Sequence, residues 1–96
     1  MAEEKAKLDL DNLETRLDEL DSDAFITAER ECRKSADPTP DLIYSSVFCA
    51  KLAAAALEVP YAQVKALKMP VFVAVVERTR NFLLRTLGET VIQSDN

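Results

Sequence analysis

Cys32 and Cys49 are the only thiols in this 96-residue chain, which contains no histidine. A tetrahedral zinc site needs four donors, so two thiolates without an imidazole do not complete one. Both are expected as buried free thiols of a reducing compartment. Asp9-x-Asp11 opens like a calcium-binding loop. Its sixth position, however, carries Glu14 where a glycine must make the turn, and its twelfth carries Leu20 where a bidentate glutamate closes the site. The expected reading is a solvated acidic segment. The hydroxyls of Ser22, Ser45, Ser46 and Thr79 have no histidine to accept their protons, and Lys51 is the one base close in sequence to any of them. A single glycine, Gly88, rules out a glycine-rich phosphate loop. No catalytic, cofactor-binding or metal-binding residue is assigned, and a non-catalytic binding or assembly module is the expected class.

The surface those residues would share is acidic. Twelve Lys and Arg against 17 Asp and Glu leave a net charge of −5, which a phosphate backbone repels, so a nucleic-acid partner is not expected. The charge is uneven: residues 1–37 carry 12 acidic and six basic side chains, and residues 38–96 carry five and six. With 48% hydrophobic and 30% charged residues, the composition is that of a globular chain of one domain. The longest strictly apolar runs, Leu52 to Leu57 and Val71 to Val76, are six residues each and too short to span a membrane. The acidic start shows no secretory signal, and Ala2 replaces the glycine that myristoylation requires, so the expected location is the cytoplasm.

Periodicity predicts an all-α fold, an irregular helical bundle. Residues 1–10 read as a loose arm. Leu13, Leu17 and Leu20 recur at helical spacing and predict a short amphipathic helix. Asp21-Ser22-Asp23 caps a second helix through Phe25, Ile26, Glu29, Cys32 and Arg33, ending near Ser35 with basic residues at its negative pole. Asp37-Pro38-Thr39-Pro40 is a hinge, after which Thr39 as N-cap and Pro40 at the first position predict a helix to about Leu57. That helix is apolar nearly all round, so it must be covered on more than one side, and the run Ala53 to Ala56 allows close helix approach. A turn or two over Tyr61 to Leu67 follows Val59-Pro60. The last helix is predicted from Pro70 to Leu87, closed by Gly88 in a left-handed C-cap and followed by a polar tail over 89–96. The valines at 71, 73, 75 and 76 would also suit a strand. The stripe Phe72, Val75, Val76, Thr79, Phe82 and Leu83 continues at i+3 and i+4, which favours a helix, with Phe82 as a core anchor. The helices after Pro40 and Pro70 are expected to form a long antiparallel pair.

Two features lie outside this packing pattern. Val73 and Leu84 sit beside Leu87, off the main stripe, and form either a second core contact or an edge for a partner. Tyr44 and Phe48 lie on the side of the alanine-rich helix opposite Ile43. These four are the candidate partner-binding residues. Arg78 and Arg85 share a face of the last helix with Arg80 nearby. They form either a solvated basic face or a dock for an acidic segment, the chain's own N-terminal part included. Large apolar residues exceed what a chain this size comfortably buries, which points to self-association or an apolar client.

Asp21-Ser22 at a helix start resembles the attachment motif of acyl carrier proteins. That resemblance would make Ser22 the carrier of a prosthetic group, but Asp23 stands where those carriers have leucine, and the preceding helix is short. A broader resemblance rests on order and spacing over residues 8–87. An acidic leucine-rich lead is followed by Ala28-Glu29-Arg30-Glu31, an alanine-rich helix ending Leu57-Glu58-Val59-Pro60, Val64-x-x-Leu67, Phe72-x-x-Val75-Val76 and Asn81-Phe82-Leu83. In this the chain resembles the tail assembly chaperones of long-tailed bacteriophages and prophages, the lambda-type group and its relatives. The resemblance implies a small helical protein of the host bacterial cytoplasm, without catalytic residues or cofactors. It also implies binding to the tape measure protein, self-association along that client and recruitment of tail tube subunits. A helical adaptor for another protein is the remaining alternative.

Overall fold

The computed structural model describes residues 8–94, with side chains to residue 88. Residues 1–7 of the expected arm, residues 95–96 of the expected tail and the tail's side chains lie outside that description. Among the described residues the chain is an all-α bundle: α1 (Leu13–Asp18), α2 (Ser22–Lys34), α3 (Ser46–Leu57), α4 (Tyr61–Lys65) and α5 (Met69–Ser94). Short 3-10 turns at Leu10–Asn12 and Leu42–Tyr44 precede α1 and α3. The valine-rich run is helical, as the continuing stripe predicts.

α3 is the hub and touches every other helix. Phe48, Leu52, Ala53, Ala56 and Leu57 pack with Leu13 and Leu17 of α1, Ala28 and Cys32 of α2 and Val75 of α5. On its other side Cys49, Ala50 and Ala54 pack with Val64 of α4 and Val76 of α5. A helix apolar on all sides is stable in water only when enclosed in this way. α5 runs back along α3, so that Phe72 meets the cluster containing Ala54 while Arg80 reaches the carbonyls of Ile43 and Tyr44 ahead of α3.

Three expectations are corrected. The helix predicted from Pro40 begins only at Ser46, because local side chains offer the backbone other partners. The Asp37 carboxylate accepts from the Thr39 amide at 2.9 Å and from the Ser45 hydroxyl at 2.6 Å, and the Asp41 carboxylate accepts from the Ile43 amide at 3.2 Å. Ser45, not Thr39, is the N-cap, its hydroxyl accepting from the Phe48 amide at 3.2 Å. Arg33 donates to the carbonyls of Asp37, Thr39 and Pro40, so the proline-rich link is fastened along its length. Secondly, Gly88 does not close α5. Its φ is not positive and the helix continues to Ser94.

The residues that do take the left-handed conformation are Ala36, at φ 63°, and Glu58, at φ 59°. In both cases the following amide bonds back to the carbonyl five residues earlier, Asp37 to Cys32 and Val59 to Ala54. Each then meets a proline, Pro38 or Pro60. Two helices thus end by the same Schellman device with a side chain where glycine is usual. Thirdly, Phe82 is half-buried at the edge of the core, and Phe48 is the largest fully buried side chain.

Arg78 joins the N-terminal segment to α5. Its guanidinium donates to the Glu14 carboxylate at 2.6 and 2.8 Å and to the Leu10 carbonyl at 2.7 Å. This is the docking of the chain's own acidic part that the charge asymmetry suggests. The arrangement holds the Glu14 carboxyl below its ordinary value of 4.5. Asp37 is lowered by the Ser45 hydroxyl and the Thr39 amide, and Asp9 by Asn12 and Arg16. A carboxyl lowered in the folded state binds fewer protons there than in the unfolded chain. Its stabilisation is therefore complete above the unfolded value and is lost as pH falls through the folded one. Stability is expected to decline in acid from about pH 4.5 downward, and Glu14→Gln should flatten part of that decline. Thermal melts of both chains across pH 2–6 check this; parallel profiles would refute the assignment.

Candidate partner-binding surface

The polar groups are arranged for structure. The Cys49 thiol is pushed up to about 11 by burial and donates to the Ile43 carbonyl at 3.3 Å. Burial likewise raises the Cys32 thiol. Both are free and protonated at neutral pH, hence poor nucleophiles. Thr79 is fully buried and its hydroxyl donates to the Val75 carbonyl at 2.9 Å, the usual outlet for a hydroxyl inside a helix. The Asp9 carboxylate is taken up by Asn12 and Arg16. Among the described residues, no group of three or more Cys, Asp or Glu is placed to hold a metal ion.

The informative feature is apolar side chain left in water. Tyr44 is 57% exposed, Val73 49% and Leu87 51%, with Val47, Val71 and Met69 also exposed. Stepping about 100° per residue, Val73, Arg80, Leu84 and Leu87 fall within roughly 60° of one side of α5. Arg80 donates to the Ile43 and Tyr44 carbonyls at 3.3 Å, which brings the exposed Tyr44 turn against that side. Glu77 accepts from Arg80 at 3.1 Å and holds the guanidinium in place. The helix places Val73 and Leu84 there because its core stripe is centred on Phe72, Val75, Val76 and Thr79, and these two are the next apolar positions round the wheel.

Of the four candidate residues, Val73 and Tyr44 are exposed and Leu84 is half-buried, while Phe48 is fully buried. Phe48 is corrected from a partner residue to a core residue. Its ring stands edge-on to Phe25, centroids 5.0 Å apart, at the centre of the cluster where α2 crosses α3. Sequence reasoning passed over Val47 and Met69 as surface residues. Val47 lies one residue after the start of α3, a position no wheel begun at Pro40 would set apart, and Met69 reads as part of a stop signal before Pro70.

Two grooves lie outside this set of exposed residues. An apolar one of about 260 Å³ is lined by Leu17, Leu20, Phe25, Leu52, Phe82 and Leu83, with Asp21 and Ser22 at its rim. The other, between α2 and α3, has an alanine floor and is bordered by Asp23, Glu31, Lys51 and Tyr61. Lys51 there donates to Glu31 at 3.1 Å and lies 4.3 Å from the centre of the Tyr61 ring.

No family model, curated protein or solved structure matches the chain. Among the described residues no helix is long and apolar enough to cross a membrane.

Proposed function

We propose that this chain is a non-catalytic assembly chaperone of the phage-tail type, working in the host bacterial cytoplasm. It holds apolar helices of a tape measure protein in solution and helps bring tail tube subunits to them. The observation that carries the reading is the uncovered apolar edge of α5 with the adjoining Tyr44 turn, because an amphipathic client helix covers such an edge through residues spaced at i, i+3 and i+7. The resemblance in element order over residues 8–87 supplies the kind of client. The two buried, protonated thiols and the structural use of the polar groups agree with a protein that binds without reacting.

Co-expression with the tape measure protein encoded nearby tests this, and the client is expected to move from the insoluble to the soluble fraction. Tyr44→Asp with Val73→Asp should abolish the effect and leave the helical circular dichroism unchanged, since both side chains are exposed. Failure of the wild-type chain to bind or solubilise the client would end the chaperone reading.

A carrier reading has one observation in its favour: Ser22 stands exposed at the rim of the apolar groove, at the start of α2. It requires a mass gain at Ser22 on incubation with a promiscuous phosphopantetheinyl transferase and coenzyme A. A chaperone gives none.

A further inference from the structure

α1 covers apolar surface of α3 and α5 with two buried side chains, Leu13 and Leu17. It has six residues, and its N-cap Asn12 makes no side-chain capping bond. So short a segment does not hold a helix in water, and α1 is helical because of what it lies on. The other helices are joined without it: α2, α4 and α5 each pack on α3, and the buried cluster of Cys49, Ala50, Ala54, Val64 and Val76 takes no residue from α1. Beside α1 the fit is incomplete, since Leu17 and Leu20 share the open groove of about 260 Å³ with Leu52, Phe82 and Leu83. The polar fastening lies at the surface. Arg78 donates to Glu14 and to the Leu10 carbonyl, and both side chains of that ion pair are more than a third exposed. Such a pair adds little to the hold of two leucines.

We propose that α1 is an internal placeholder on the α3–α5 surface beneath it, displaced by an acidic amphipathic helix of a partner protein that carries leucines at i and i+4 and a carboxylate at i+1. α1 itself shows the pattern this surface takes, with Leu13 and Leu17 buried and Glu14 on Arg78. Charge selects the partner's sign. When α1 leaves, Arg78 loses the carboxylate it holds. Arg85, seven residues on and so on the same side of α5, lies 5.7 Å from the centre of the Phe82 ring on the groove wall. Asp21 stands on the α2 side of the groove and directs the partner's carboxylates toward α5. Residues 8–20 meet these terms with five carboxylates against one arginine. The covalent link keeps α1 at a high effective concentration, so a partner binds the fraction of chains in which α1 is released. Stepping about 100° per residue, Arg78 lies roughly 140° round α5 from Val73. This surface is therefore distinct from the edge proposed for the client, and its failure leaves that reading standing.

The probe is a labelled synthetic peptide of residues 8–20, titrated into the full chain and followed by fluorescence anisotropy. Glu14→Lys in the chain sets a lysine against Arg78 and should release α1, quickening hydrogen exchange over residues 10–18 while α3 stays protected. That variant should bind the peptide roughly tenfold more tightly than wild type does. Leu13→Ala with Leu17→Ala in the peptide should abolish binding. Exchange of charge reads the point of contact: Arg78→Glu in the chain should turn its preference to a peptide carrying Glu14→Lys, a result that does not require either chain variant to match the stability of wild type. Absence of peptide binding by the Glu14→Lys chain, equal preference of the two chains for the two peptides, or exchange that quickens in α3 as much as over 10–18 overturns the proposal. So does a Glu14→Lys chain that turns dimeric on a sizing column, because α1 of a second copy would then be the occupant.

Discussion

Phe48→Ala is expected to lower the free energy of unfolding by about 3–5 kcal/mol, out of the roughly 5–15 kcal/mol that a domain has in all. The side chain is 0% exposed, it is the largest fully buried one, and its ring edge meets Phe25 with centroids 5.0 Å apart and planes at 77°. Truncation removes the transfer free energy of the ring and that aromatic contact together. It leaves a space that α3 closes only in part, since four other helices contact this one and fix its position. The capping bond from the Phe48 amide to the Ser45 hydroxyl is a backbone contact and survives the change. Chemical denaturation followed by circular dichroism measures the loss. Phe82→Ala, at a half-buried site on the groove wall, should cost distinctly less, and the reverse order would show that the core is centred elsewhere.

Leu13→Ala is expected to cost about 2–5 kcal/mol and to act locally first. α1 has six residues, far too few to be helical alone, and Leu13 at 0% and Leu17 at 5% exposure are its buried residues. Without Leu13 the segment would rest on Leu17 and on the contacts of Arg78 with Glu14 and Leu10. These contacts lie near the surface and are correspondingly weak. Hydrogen exchange should therefore quicken in residues 10–18 more than in α3, in parallel with the fall in global stability. Unchanged exchange over 10–18 would mean that α1 is held by something other than its leucines.

The helical character of the chain was legible because three signals agree within single elements. In α2 the Asp21 cap, the apolar spacing and the basic C-terminus all coincide, and the helix runs from Ser22 to Lys34 as those signals require. In α5 the i, i+3, i+4 stripe outweighed the β preference of four valines. The misplaced boundaries lie where several residues can cap and only tertiary contacts choose among them. Thr39, Asp41 and Ser45 are all competent N-caps, and Ser45 prevails because its hydroxyl also reaches Asp37, eight residues away, in a loop already tied down by Arg33. The left-handed ends at Ala36 and Glu58 carried no glycine to announce them, whereas Gly88, which did announce an end, lies inside a continuing helix.

For the surface, the residue types alone determined that the chain is acidic, that it lacks the imidazoles and glycines most reactive sites need, and that α5 carries more apolar positions than one core stripe can use. These are properties of composition and of helical period, which no packing arrangement alters. Tertiary structure decided which surplus residues stay uncovered. Phe48 and Tyr44 are both aromatic, four apart and adjacent to the same helix start, yet one is sealed beneath Phe25 and the other is 57% exposed. The difference lies in where α2 crosses α3 and where Arg80 fastens the preceding turn, and those are contacts between residues more than twenty positions apart in the chain, beyond the reach of any local pattern.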